Sequence, residues 1–533
     1  MQLADGSLTE IREVVQGERI LASNFSDLKI REAGCSFQSA RSDFREAFEI
    51  DTGHKITASA NHCFFKMDGM RIAEIEAKDI RKGDYLAHAK SIPVATSVQG
   101  IPEQNFKEVV VVNKQGAGMI RNLLKAEGYS TKTQLPFLQI SPRQFRRVLN
   151  QGFPTASENI SVLSSMAGGK TFSAQLLANV EAVETHKHKN LQSQDFFTKE
   201  LAQITGYFLG DGHAEERCIR FKDARKEVLE EYAALFEKLY GINCGITPVS
   251  KKNCHQLNVN SKELAELFRH LKATGLDLAA KSPNNVLAQF IKGFFDAEGS
   301  VDKKIRRISF SQKDTKVLQK LQLLLKRFGI NSRIRTCGKK RPNNLLELFS
   351  TDVVKFALSI GLTAPDKKAL LEKWVKEFDE RKSKTIVPIE RNALKAALKK
   401  EFGFFSKALK PRPYRHTTVC ELERVMACLN QKQTLSMEGM KTRQFIENIL
   451  NNDVFFEKVR ETRKVKNEKP LYDISVPGME NYIANGFIVH NSKTRLYLRK
   501  SKEDKRVAKL VDSPSLPDGE AVYRVTENGI EDV

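Results

Sequence analysis

Ile204-Thr205-Gly206-Tyr207-Phe208-Leu209-Gly210-Asp211-Gly212 and Ile291-Lys292-Gly293-Phe294-Phe295-Asp296-Ala297-Glu298-Gly299 are two versions of one pattern. Each is an apolar helix with small residues four apart, Gly206 and Gly210 or Gly293 and Ala297, ending in an acid followed by glycine. Residues four apart share a helix face, and without side chains there two helices approach closely. The landmarks that follow keep step. A strand ends in Lys222-Asp223 or Lys313-Asp314, and a helix leads to Tyr240-Gly241-Ile242-Asn243 or Phe328-Gly329-Ile330-Asn331. Gly275-Leu276 and Gly361-Leu362 close the copies. The offsets between copies are 87, 91, 88 and 86 residues, so 198–378 reads as a duplication.

Gly212 and Gly299 suit left-handed caps. Asp211 and Glu298 would then end their helices, where the dipole disfavours a carboxylate. Side by side across a pseudo-two-fold they repel, and a divalent metal bridging both acids and a phosphate compensates, as in two-metal phosphodiester hydrolysis. Lys222 and Lys313 are placed to steady charge developing on the phosphate. These residues resemble the LAGLIDADG (DOD-type) homing endonucleases. Gly206, Asp211 and Gly212 match in the first copy, and Gly293, Asp296, Ala297, Glu298 and Gly299 in the second. Thr205, Leu209 and Gly210 depart from the pattern, where Ala, Asp and Ala are expected. The resemblance implies a monomer of two αββαββα halves whose curved sheets form a saddle on double-stranded DNA. It implies cleavage of a long asymmetric site with Mg²⁺ (or Mn²⁺), with Asp211 and Glu298 as catalytic and metal-binding acids. Lys222 and Lys313 stand where the family has supporting lysines.

The charge agrees with a polyanionic partner: 87 Lys+Arg against 65 Asp+Glu give +22. In residues 492–533 nine basic residues nearly cancel eight acidic ones, so the excess belongs to 1–491. Between 101 and 197, residues 117–127 are expected to form a short helix and Ser141-Pro142 to open another. That pair is compatible with a helix-turn-helix DNA reader, with Arg143, Arg146 and Arg147 as contacts. A second basic stretch, 379–455, carries Lys399 and Lys400 in the same expected role, though a solvated helix face is the usual reason for such charge. With 41% apolar and 29% charged residues the chain is an ordinary globular protein of several domains. No apolar run approaches the ~20 residues of a membrane-spanning helix, and no signal-peptide pattern opens the chain. Eight cysteines without a C-x-x-C pair indicate neither a zinc site nor a disulfide framework, and a reducing cytoplasm fits.

Both flanks read as short strands punctuated by Asp5-Gly6, Asp51-Thr52-Gly53, Asp68-Gly69, Lys82-Gly83-Asp84 and Pro477-Gly478. The second flank ends in Phe487-Ile488-Val489-His490-Asn491-Ser492. The Asn491 side-chain amide can attack its own carbonyl, close a succinimide and break the bond to Ser492. His490 is placed to protonate the departing amine, and Ser492 offers the hydroxyl of an ester-transfer step. Residues 470–492 resemble the C-terminal blocks of inteins, with Asp473 as the acid of the first block and Glu480 near the place where the family often has His. Ser59-Ala60-Asn61-His62 resembles the Thr-x-x-His block, whose histidine polarises the N-terminal scissile amide. An intein opens with Cys or Ser, whereas Met1-Gln2-Leu3-Ala4-Asp5-Gly6 resembles the interior of a second strand. The resemblance therefore implies an N-terminally truncated intein that does not complete splicing as written, while Asn491 cyclisation remains open to it.

Thr494–Lys500 and Asp512–Ala521 resemble the C-terminus of the archaeal RecA-like recombinase RadA. No ATP site accompanies them: Ser164 stands where a P-loop ending in Gly169-Lys170-Thr171 needs its first glycine. The expected organisation is an all-β Hint (splicing) domain, 1–100 and 456–491, split by an α/β LAGLIDADG endonuclease at 198–378. Inserted regions lie at 101–197 and 379–455, and a short β-rich RecA-like tail at 492–533. The expected DNA target is the intein-free recombinase gene. A DNA-binding remnant without catalysis and a recombinase subunit are the alternatives, and metal-dependent cleavage separates the first of them.

Overall fold

A computed structural model describes the chain outside residues 42–45, 103–108, 133–134, 139, 154, 167–169, 183–190, 250–252, 338–342, 379–385, 404–408, 410–414, 467–468, 492–494, 501–504, 513–518, 528 and 533. The chain divides into two compact units, one of residues 1–97, 280–284 and 298–533, the other of 98–279 and 285–297.

In the first unit, strands distant in sequence pair with one another. Glu461–Lys466 runs antiparallel to Glu46–Asp51, and Leu471–Ser475 to Phe37–Arg41 with Asp473 opposite Ser39. Val454–Lys458, Tyr85–Ala89, Phe487–His490, Cys63–Asp68 and Arg71–Glu76 follow one another in a larger sheet, and Asn481–Ala484 pairs with Phe487–His490. That sheet is buried on both faces because successive side chains point opposite ways. Phe64, Leu86, Phe487 and Val489 enter one core with Ile50, Ile474 and Tyr482. Their neighbours Phe65, Ala87 and Ile488 enter another, packed with Leu394, Leu398, Leu422, Val425 and Ile446. Those five come from helices Arg391–Phe402, Val419–Gln431 and Met437–Leu450, so the apolar face of the second basic region is spent on the sheet. Near the start of the chain, where strand is expected, Gln2 and Leu3 make single bridges with Leu8 and Ile20.

The same unit holds a four-stranded sheet in the order Gly299–Asp302, Arg307–Gln312, Asn343–Phe349, Arg333–Cys337, with helices Thr315–Leu325 and Thr351–Ser359. A four-stranded antiparallel meander, Arg495–Lys500 to Gly529–Asp532, forms the tail.

In the second unit, Thr155–Ala156, Val109–Val112 and Val180–Ala182 form a small sheet, and four helices share its core through Ile120, Leu124, Phe145, Leu149, Leu163 and Leu176. Two of them, Lys114–Ala126 and Pro142–Gln151, fall where short helices are expected, the latter opened by a Ser141–Gln144 capping box. Residues 127–141 separate them, far more than the three or four residues of a helix-turn-helix corner, so the pair does not have that arrangement. Beyond it, helix Lys199–Asp211 leads to a sheet ordered His213–Ala214, Ile219–Asp223, His255–Val259, Gly245–Pro248, with helix Lys226–Tyr240. Strand order is thus the same as in the Gly299–Phe349 sheet.

Candidate active sites

The first site is assembled by the long-range pairings of the first unit. His62 sits in the turn before strand Cys63–Asp68, held by a hydrogen bond from its N–H to the Ser59 carbonyl (3.1 Å). Its Nδ1 lies 3.7 Å from Asp473 Oδ2, an ion pair when the imidazole is protonated. Tyr482 donates its hydroxyl to Asp473 Oδ1 (2.8 Å), which also accepts the Ile474 N–H (2.8 Å). Burial, then the Asp473 charge, pushes the Tyr482 phenol well above its usual range, so it stays a donor. Ser59, His62, Asp473, Tyr482, Asn485 and Asn491 line one cavity of about 660 Å³.

Asn491 follows strand Phe487–His490 and is clasped on both sides. Oriented so that donors meet acceptors, its Nδ2 donates to His490 Nδ1 (3.1 Å) and to the Glu480 carbonyl (2.8 Å), while Oδ1 accepts the Val476 N–H (3.2 Å). The Asn491 backbone N–H also reaches the Glu480 carbonyl (3.0 Å). His490 Nδ1 is 2.8 Å from the Asn491 main-chain carbonyl oxygen, so a single ring nitrogen adjoins both the attacking amide and the carbonyl attacked. The buried ring stacks on Phe65 (5.5 Å, 22°), and its Nε2 lies 3.5 Å from Glu74 Oε1. Ser492 lies outside the described residues. Sequence reasoning missed Tyr482, Glu74 and the Glu480 carbonyl. Glu480 is left-handed (φ 54°), which aims its carbonyl, not its side chain, at Asn491. No residue-type pattern signals a backbone acceptor.

The second set of candidates lies on the repeated helices. A Cβ on Gly206 would come within 2.0 Å of the Phe290 carbonyl oxygen, and one on Gly293 within 2.0 Å of the Gln203 carbonyl oxygen. The two helices touch backbone to backbone at these glycines, as the small-residue spacing implies. Helix Lys199–Asp211 ends on Asp211. Burial is the main cause raising its carboxyl above the usual range; Lys222 opposes and Asp223 adds to it. Lys222 is exposed on strand Ile219–Asp223, and Tyr207 ties that strand to the helix by donating its hydroxyl to the Lys222 carbonyl (2.8 Å). Asp296 is buried and accepts the Tyr232 hydroxyl (2.8 Å), a structural bond behind the helix end. Helix Asn284–Glu298 ends on Glu298.

Two expectations here need correcting. Gly212 is extended (φ −82°, ψ 143°) and Gly299 already begins a strand, so neither is a left-handed cap. Glycine at 212 answers to space instead, since a Cβ would lie 2.3 Å from the Phe208 ring. Strand Arg307–Gln312 stops before Lys313, which sits in the following bend, while Asp314 caps helix Thr315–Leu325 by accepting the Lys316 N–H. Arg143, Arg146 and Arg147 are exposed on helix Pro142–Gln151, with Arg147 stacked 3.9 Å over Phe153. Lys399 and Lys400 are exposed at the end of Arg391–Phe402, and Lys400 pairs with Glu438 at 3.0 Å.

Among known families, the intein splicing domain matches residues 1–491 and the Rad51 family matches 453–533. A glutamine–fructose-6-phosphate aminotransferase of Methanocaldococcus jannaschii is 24% identical over 529 residues, 94% of this chain and 46% of that protein. A reverse gyrase of the same organism is 22% identical over 542 residues, 92% of this chain and 30% of that protein. The DNA repair and recombination protein RadA of Methanococcus maripaludis is 58% identical over 53 residues, 10% of this chain and 16% of RadA. The chain thus spans less than half the length of these curated relatives. Among solved structures, I-DmoI in complex with DNA and Ca is similar over 33% of this chain and 98% of that one, at 20% identity and a TM-score of 0.28. Among the described residues, no helix is long and apolar enough to cross a membrane.

Proposed function

The chain belongs to the intein splicing family, and from that premise we propose that it cleaves its own backbone after Asn491 and carries a DNA endonuclease within the splicing element. The cleavage rests on one observation, the position of His490 Nδ1 at 3.1 Å from Asn491 Nδ2 and 2.8 Å from the Asn491 carbonyl oxygen. Asn491 Nδ2 attacks the Asn491 carbonyl carbon and loses a proton to His490. The bond to Ser492 breaks, and the proton passes to the Ser492 amine. The products are residues 1–491 ending in a succinimide and a free 492–533 segment. Asp473, Tyr482, His62 and Ser59 form the part of the cavity that would polarise an N-terminal scissile amide, and the Ser492 hydroxyl would accept the acyl group. Timed mass spectrometry of the full chain tests the reaction: release of 492–533 is expected, and Asn491→Ala should abolish it.

The endonuclease reading is supported by the backbone contact at Gly206 and Gly293 and by the matching strand orders of the two four-stranded sheets. Asp211 and Glu298 are the acids that would hold a divalent cation, Mg²⁺ or Mn²⁺, which supplies Lewis-acid charge to a scissile phosphate when bound. The fit is electrostatic: Asp211 ends its helix, open to solvent, with its carboxyl raised by desolvation and by nearby Asp223, and a cation there relieves what Lys222 relieves only in part. Lys222 and Lys313 would steady phosphate charge, and Arg143, Arg146, Arg147, Lys399 and Lys400 would contact duplex backbone. The relatives' names denote unrelated activities, which favours an inserted element as the shared part. The RadA-like tail supports a recombinase as the host, with its uninterrupted gene as the proposed target. Asp211→Asn with Glu298→Gln should abolish metal-dependent cleavage of a plasmid bearing that gene. A DNA-binding remnant is the second reading, favoured by the buried Thr205, whose hydroxyl finds no partner where the family has Ala. Wild-type binding without cleavage would establish it.

A further inference from the structure

Behind the turn that leads to Asn491 lies a group of side chains that none of this chemistry uses. His54 follows the Thr52-Gly53 turn, His88 lies on strand Tyr85–Ala89, and Glu457 lies on strand Val454–Lys458. Both imidazoles are buried, and each has one nitrogen engaged; the His88 ring also adjoins the Gly486 backbone, without a well-formed hydrogen bond to its Nδ1. His54 Nδ1 is 3.0 Å from the Asn485 carbonyl oxygen, and His88 Nε2 is 3.2 Å from the Thr52 hydroxyl. His54 Nε2, His88 Nδ1 and Glu457 Oε2 are buried without a hydrogen-bond partner. The three residues' ligand atoms lie within 4.8 Å of one another.

Three orphaned atoms on residues this close together, each able to offer a lone pair, are unusual in a folded interior, where buried polar groups are paired. Lys326 and Arg460 meet Glu457 through charge and leave its Oε2 without a hydrogen bond, since Lys326 Nζ donates to the Ala89 carbonyl (2.8 Å) and Asn331 Oδ1 (3.1 Å). Burial first, then the Lys326 charge, lowers both imidazoles well below their usual pKa, which keeps them in the neutral form that ligates metal. The far nitrogens rest on a backbone carbonyl and a hydroxyl, the outer contacts that orient ligating histidines.

We propose that His54 Nε2, His88 Nδ1 and Glu457 Oε2 bind one divalent transition-metal ion of the zinc type. Two imidazoles and a carboxylate with room for a fourth ligand suit tetrahedral zinc, whose bonds of roughly 2.0–2.1 Å put ligands about 3.4 Å apart. The cluster closes onto such an ion by side-chain movement of about 1 Å. The ion would fix the Asn485-Gly486 turn, because His54 Nδ1 abuts both residues: a Cβ on Gly486 (φ 86°) would fall 3.0 Å from it. It would thereby brace strand Phe487–His490, which carries the cleavage site, without touching the reacting atoms.

The test uses the full chain freed of metal with a chelator, then titrated with Zn²⁺ and with Co²⁺ as a spectroscopic stand-in. With excess Mg²⁺ present to occupy the Asp211 and Glu298 position, one further ion per chain is expected, with the visible bands of four-coordinate Co²⁺ and no thiolate charge-transfer band. Glu457→Gln and His88→Gln should each weaken Co²⁺ binding by at least about 100-fold, beyond the ~10–100-fold lost with an outer partner. Asp211→Asn with Glu298→Gln should leave it unchanged. X-ray absorption of the zinc-loaded wild type gives a reading independent of variant folding and should show two imidazoles and no sulfur. Absence of stoichiometric binding, sulfur ligation, or unaltered affinity in folded Glu457→Gln would overturn the proposal.

Discussion

At His490 and Asn491 the proposed reaction rests on the packing of a strand end. The imidazole is held by Phe65 stacking and by Glu74, so Nδ1 stays beside the amide and the carbonyl. His490→Gln is expected to slow release of 492–533 by roughly 10²–10⁴-fold, the range for a lost general acid–base group; timed electrophoresis measures it. Glu480 makes the opposite case. A side chain there in place of the family's histidine suggests weakened proton transfer, yet it is the main-chain carbonyl of Glu480 that engages Asn491. Glu480→Gln should therefore leave the release rate unchanged, and a large loss would show that the carboxylate takes part. Asn491 was picked out by residue type, and His62 and Asp473 by their likeness to the intein blocks. Tyr482 was not, because its hydroxyl matters only once strand pairing has delivered it to Asp473.

At the scale of elements, the repeated helices make a demand that the chain states openly. Gly206→Ala or Gly293→Ala would drive a methyl into a facing carbonyl. Each should destabilise the structure by about 1–3 kcal/mol or more, as overpacking does, read as earlier unfolding of this region in urea. Glycine after the acid promised a left-handed cap as well, and there the inference failed. Glycine serves both conformational freedom and close approach, and only the packed neighbour Phe208 distinguishes them. Helices Arg391–Phe402 and Met437–Leu450 are locked by Glu401, which accepts hydrogen bonds from Lys432 and from the backbone and hydroxyl of Ser436. The Lys432 contact, then Ser436, lowers the Glu401 carboxyl from 4.5 to about 2. A depressed acid stabilises the fold above its unfolded pKa and loses that contribution as protons bind. Glu401→Gln should lower wild-type stability at pH 7, with the difference shrinking between pH 4.5 and about 2; parallel denaturation curves across that range decide it.

For the whole molecule, the +22 charge sets the expected behaviour on DNA. Basic groups that displace condensed counterions give an affinity whose logarithm falls linearly with that of salt, by about 0.9 per phosphate neutralised. Deleting 492–533 should leave that slope unaltered, since nine basic residues there face eight acidic ones; binding titrations at several salt concentrations check both statements. The expected duplication, the proposed chemistry at Asn491 and the likeness of the tail to RadA were read from the sequence alone, because repetition, side-chain reactivity and short-range spacing are properties of residue order. Tertiary structure alone decided that Asp473 lies opposite Ser39 and Val489 opposite Phe64, that the second basic region covers the splicing sheet, and that His54, His88 and Glu457 converge. Backbone hydrogen bonds between strands more than 400 residues apart are blind to residue type. Whether a histidine is a surface group or a buried ligand depends on what the rest of the chain lays over it.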